Sequence, residues 1–198
     1  MNKTFLDASK IAQETIEKII ETSDYYNLKF KALRSYNREH VWQFRYEKLN
    51  RTNNGFGGEH FTVLVDTLNQ QIKGLIYMDT QIFSGELPEN HIAEQAARQF
   101  LNRICPELES ELKVLWIRRH DEIVMLANNI HGSKKVVVSG VKVKCLQQNS
   151  GLYTWVIVSS REKIITFERD VVWNHDMSCR STEKWLHDNW LIENKYGF

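Results

Sequence analysis

The sequence predicts an α+β protein of two related halves, each an N-terminal helix packed on an antiparallel β-meander, with a C-terminal helix added. Two observations carry this: amphipathic stripes of helical period occur twice, and each is followed by runs that alternate with period two. A third is that segments of the first half recur, in the same order, in the second.

The first stripe is Ile11, Ala12, Thr15, Ile16, Ile19 and Ile20, with Glu14, Glu17, Lys18 and Glu21 on the other face. Asp7 is its expected N-cap. Strands are expected at Leu28–Tyr36 and Val41–Leu49, where Trp42, Phe44 and Tyr46 alternate with Gln43, Arg45 and Glu47. RTNNGFGG (51–58) reads as a loop, and His60–Thr67 and Gln71–Asp79 as two more strands around Leu68-Asn69-Gln70. Pro88 suits the first turn of a second helix, whose stripe is Ile92, Ala93, Ala96, Ala97, Phe100, Leu101 and Ile104, and Pro106 stops it. A second meander follows: Glu111–Arg119, Glu122–Ala127, Lys134–Leu146, and a hairpin of Leu152–Ser159 with Lys163–Trp173. Ser181–Ile192 reads as a last helix, capped by Ser181 or Thr182, whose Trp185 and Trp190 join Trp173 to pin it on the second sheet.

KIAQETIEKII (Lys10–Ile20) aligns with HIAEQAARQFL (His91–Leu101). FTVLVDTLNQQIKGLIYMD (Phe61–Asp79) aligns with YTWVIVSSREKIITFERD (Tyr153–Asp170), with one gap at the turn. The expected domains are therefore 1–83 and 84–198. The Ala- and Ile-rich helix, the strand Val41-Trp42-Gln43-Phe44-Arg45-Tyr46 and the hairpin from Phe61 to Ile72 resemble PepSY-type domains. That resemblance implies a cystatin-like arrangement, one helix across a curved sheet, in tandem. The first reading is a non-enzymatic protein-binding or regulatory role; the resemblance makes restraint of a peptidase one concrete version of it, and an accessory or immunity factor is another.

The sheet faces supply candidate partner-binding residues. Phe61, Val63, Val65, Ile72 and Ile76 are assigned to the helix side of the first hairpin, which leaves Leu64, Leu75 and Tyr77 opposite. Tyr153, Trp155 and Ile157 are assigned to the helix side of the second, which leaves Val156, Val158 and Phe167 opposite. A sheet with one solvated face alternates more cleanly than this, so something should cover the second face. The halves packing together, the C-terminal helix, or a protein partner or second copy would each do so.

Chemistry is sparse. None of the seven histidines stands in H-E-x-x-H or another tight metal spacing. His175-Asp176 with Cys179, followed shortly by His187-Asp188, reads as an ordinary loop cluster, His120-Asp121-Glu122 reads as a turn between strands, and the glycine-rich loop lacks the Lys-Ser/Thr and helix that a phosphate loop needs. No catalytic, cofactor-binding or metal residue is assigned, and the chain is expected not to be an enzyme. A net charge of +1 gives no electrostatic footprint for nucleic acid or an anionic membrane, although Arg118-Arg119 have Trp116 nearby and Lys134, Lys135, Lys142 and Lys144 add positive charge. Three unpaired-looking cysteines, no apolar leader and no long apolar run point to a cytoplasmic chain. The alternative reading is a small-molecule binder or enzyme with a pocket between helix and curved sheet.

Overall fold

The computed structural model describes residues 3–20, 26–49, 54–128, 132–174 and 179–196. In chain order its first elements are α1 (Lys3–Ile19), β1 (Tyr26–Tyr36), β2 (Glu39–Lys48), β3 (His60–Asp66) and β4 (Ile72–Met78). A 3-10 turn at Thr80–Ile82 precedes α2 (Asn90–Ile104), α3 (Pro106–Glu109), β5 (Leu112–Asn128) and β6 (Gly132–Gln147). β7 (Tyr153–Val158), β8 (Ile164–Val171) and α4 (Asp188–Glu193) follow. The chain is thus α+β with antiparallel strands. No helix among the described residues is long and apolar enough to cross a membrane.

Two compact units emerge, neither continuous in sequence. The first is 1–78 with 123–136 and 183–198; the second is 79–122 with 137–182. The boundary read from the sequence at residue 83 lies inside the second unit, and the C-terminal segment groups with the first.

In the first unit the strand order is β1-β2-β3-β4. α1 buries Ala8, Ala12 and Ile16, and Ile20 just past its end continues the same face at four-residue spacing. Asp7 lies inside α1, and its carboxylate accepts from Gln70 instead of capping the helix. Phe5 reaches the rings of Trp42 and Phe44 at 4.8 and 6.0 Å, so the helix covers the aromatic side of β2. Asn37 and Arg38, with φ of 52° and 69°, close β1 and β2 through a two-residue turn. In β3–β4, Val63 pairs with Leu75 and Phe61 with Tyr77, which puts Leu75 and Tyr77 on the α1 side. Ile76 pairs with Thr62 and faces the other way. The expected assignment of these three is corrected by a β-bulge at Leu64/Val65, which inserts one residue and exchanges the faces beyond it.

In the second unit the order is β5-β6-β7-β8. α2 starts directly after Pro88-Glu89, buries Ala93, Ala96, Ala97, Phe100 and Leu101, and ends before Pro106, which opens α3. The Phe100 and Phe167 rings meet at 5.4 Å. Phe167 pairs with Val156, and Val156 with Val143, so this row faces α2. The expected assignment is therefore reversed: Val156 and Phe167 face the helix, and Trp155, paired with Lys144 and Glu168, lies opposite. The error arose because both rows are apolar, so alternation alone could not orient the strand. β5 runs as one strand through His120-Asp121-Glu122, where a turn was expected.

The C-terminal segment also departs from expectation. Helix forms only at Asp188–Glu193, and Thr182 accepts from the Val172 N–H in place of capping a helix. Trp185 does not pin it to the second sheet: its indole donates to the Ser35 carbonyl of β1, in the first unit. Trp173 belongs to the second unit.

Candidate functional site

The α1 side of the first sheet is filled by buried apolar and aromatic residues, and the pocket expected between helix and sheet is not where the first unit's chemistry gathers. That chemistry lies on the other face. The polar row of β2, Gln43, Arg45 and Glu47, looks solvated in sequence but is buried; Arg45 is 1% exposed. The segment after residue 183 supplies what makes this tolerable. Gln43 donates to the Trp185 carbonyl at 2.7 Å. Arg45 grips Asp188 with two bonds of 2.8 and 3.1 Å, Glu47 at 2.9 Å and the Gly55 carbonyl at 2.7 Å. The carboxylates are held in turn, Glu47 by the Gly55 N–H and Asp188 by the Gly57 N–H. Gly55 and Gly57 have φ of 88° and 76°, which side chains rarely adopt, so the loop can turn its amides inward only with glycine there.

Burial alone would raise the Asp188 carboxyl, but His60, Arg45 and the Gly57 N–H outweigh it and hold it below the usual range. His60 is wholly buried beside Arg45, first by desolvation and then by that charge pushed down to about 4, so it is neutral at pH 7. Its Nδ1 donates to the Gly58 carbonyl at 2.8 Å, and its Nε2 has no partner among the described residues.

This network braces a pocket of about 540 Å3, lined by residues of β1 (Asn27, Leu28, Lys29), the end of β2 and beyond (Glu47, Lys48, Leu49) and the loop (Asn54, Gly55). Asn54 donates to the Lys48 carbonyl, while its Oδ1 is buried with no partner among the described residues. The pocket opens at the start of β1. Among the described strands β1 is hydrogen-bonded to β2 alone. Leu28, Lys29, Lys31 and Leu33 are exposed along it, and it carries Lys29, Lys31 and Arg34 with no Asp or Glu. Lys31 rests on Phe5 at 4.6 Å and Arg34 on Trp185 at 4.6 Å.

The six partner-binding candidates from sequence, Leu64, Leu75, Tyr77, Val156, Val158 and Phe167, are all buried and present no exposed surface. Nor does the structure bring them to the β1 pocket. Cys105 and Cys145 are buried, their thiols pushed up by burial to about 12 and 11, whereas Cys179 is exposed. His175 and Asp176 lie outside the described residues. Asp121 is tied to Arg119 and Ser139 on β5 and β6. Among the described residues no group of His, Cys, Asp and Glu could hold a metal ion.

Sequence reasoning missed Arg45, Asp188 and the pocket. Only the Gly-x-Gly of the loop hinted that backbone amides were being aimed at something.

No family model, curated protein or solved structure matches this chain.

Proposed function

We propose that this is a non-enzymatic binding protein that takes up an extended segment of a protein partner alongside β1, with the pocket at the start of that strand receiving a side chain. The observation that carries the reading is that, among the described strands, β1 is paired on one side only, with exposed leucines and cations along it. Strand addition gains affinity from main-chain hydrogen bonds and specificity from side-chain pockets. The charge favours an acidic partner over a second copy: antiparallel pairing of two β1 strands would set Lys29, Lys31 and Arg34 against their own kind, and like charges directly opposite are destabilising.

Each unit has the same element order, a helix and then a four-strand antiparallel meander, which supports a tandem, PepSY-like, cystatin-like origin and regulation of a peptidase as one concrete role. The unbridged cysteines support a reducing compartment such as the cytoplasm. A second reading, a small polar ligand in the β1 pocket, is favoured by the unpartnered Asn54 Oδ1.

The test is affinity capture from the native cell with the wild type and with the double variant Leu28→Asp, Leu33→Asp, whose sites are exposed. A stoichiometric protein that is lost with the variant is expected. Capture of nothing, or of the same protein by both forms, sinks the strand-addition reading.

A further inference from the structure

The second unit holds two lysines in an unusual setting. β6 alternates Val141, Val143 and Cys145 toward α2 with Lys142 and Lys144 on the opposite face. Neither lysine is fully exposed, and neither makes a hydrogen bond or ion pair among the described residues. Each ammonium sits on aromatic rings instead. Lys142 Nζ lies 3.9 Å from the centre of the Trp155 ring. Lys144 Nζ lies 4.3 Å from Tyr153, 4.9 Å from Trp173 and 5.6 Å from Trp116. The rings fix the ammoniums in place but neutralise nothing and accept no conventional hydrogen bond.

The carboxylate that acts most on Lys142 is already engaged. Glu168, beside Trp155 on β8, is bound by both arms of the Arg180 guanidinium, which itself leans on Trp155 at 5.4 Å. Arg118 covers Trp116 from β5 and adds another cation. This face therefore carries more positive than negative charge, in a chain that is otherwise balanced. Lys142 and Lys144 are half-buried, and a charge drawn partly out of water usually has a counterion.

We propose that Lys142 and Lys144 form an oxyanion site on this face, for a ligand carrying a diphosphate or similar phosphate group. Two lysines at alternate positions of one strand stand roughly 7 Å apart at their backbones. Each ammonium offers three donors, and together they match a group with two adjacent anionic phosphates better than a single carboxylate. The site stands on the second unit alone and does not depend on the β1 reading.

The charged groups that set Lys142 are Lys144 on its own strand, Glu168 on β8, Arg180 from the segment after β8 and Glu122 on β5. Burial, the largest influence, together with Lys144 and Arg180, brings the Lys142 ammonium down to about 8, against the opposing pull of the two glutamates. A bound anion acts in the opposite direction and raises it.

The probe is inorganic pyrophosphate, titrated into the whole chain at pH 7 with sodium chloride at matched ionic strength as control. The nitrogen resonances of the lysine side chains are followed by NMR. Saturable shifts of Lys142 and Lys144 are expected, with a rise of about one unit in the Lys142 titration midpoint. Lys142→Met and Lys144→Met should each weaken binding by about tenfold or more, while the exposed Lys18→Met leaves it unchanged. No saturable shift at millimolar pyrophosphate in the wild type overturns the proposal, whatever the variants do. So does undiminished binding by a double variant that melts like the wild type.

Discussion

Arg45 in the first unit and Lys142 in the second are both cations on the sheet face turned away from a helix, and their surroundings differ completely. Arg45 meets two carboxylates and a carbonyl, and both carboxylates are held by loop amides or further bonds. Lys142 meets an aromatic ring. A buried cation whose partners are supplied by its own chain acts as a clamp, since taking away any member leaves a charge stranded. A half-buried cation with no ion-pair partner among the described residues has been left an opening. Burial alone therefore does not separate scaffold from site; the accounting of counterions does.

The comparison breaks most visibly at Arg45. Arg45→Met strands Glu47 and Asp188, and a loss of about 3–5 kcal/mol is expected in urea unfolding. An unchanged midpoint would mean that the clamp contributes no stability. Acid should probe the same cluster without a mutation. His60 has a folded pKa of about 4 against 6.5 when exposed. The unfolded chain thus binds the proton first, and stability falls as pH drops from about 6.5 to 4, by on the order of 3 kcal/mol. His60→Asn should flatten that slope in a pH series of unfolding curves. Asp188→Asn keeps the shape but removes the charge, and about 2 kcal/mol should be lost in the same assay. The smallest effect belongs to the other unit. Lys142→Met should change stability at pH 7 by less than about 1 kcal/mol, in either direction. Because the folded Lys142 titrates near 8 and an exposed lysine near 10.5, the wild type should gain stability between those values as pH rises. The variant should lose this gain. A Lys142→Met protein as damaged as Arg45→Met would erase the contrast.

Much of the architecture was legible because it rests on local period. The stripes of α1 and α2, the Pro106 stop and both final hairpins came from spacing alone. What failed was non-local. The bulge at Leu64/Val65 cannot be read from residues that are apolar on both faces, and it reversed the sides of Leu75, Ile76 and Tyr77. Apolar rows on both sides of β7 hid which one met α2. Gln43, Arg45 and Glu47 had the pattern of a wet edge and became a buried polar row of the first sheet, because a segment from the far end of the sequence lies over them. For the same reason the β1 pocket had no signature: its lining is assembled from three stretches that sequence spacing does not connect.

The bond from Arg45 to Asp188 spans 143 residues. At a synthesis rate of 5–20 residues per second, Arg45 waits roughly 7 to 30 seconds for this second carboxylate. During that interval the nascent first unit holds an arginine paired with Glu47 alone and an uncovered sheet face, which is the kind of surface that chaperones hold and that aggregates form on. The order of translation thus makes the first-made unit the last to be completed, and its yield in a cell should depend on elongation speed and chaperone supply more than that of the second.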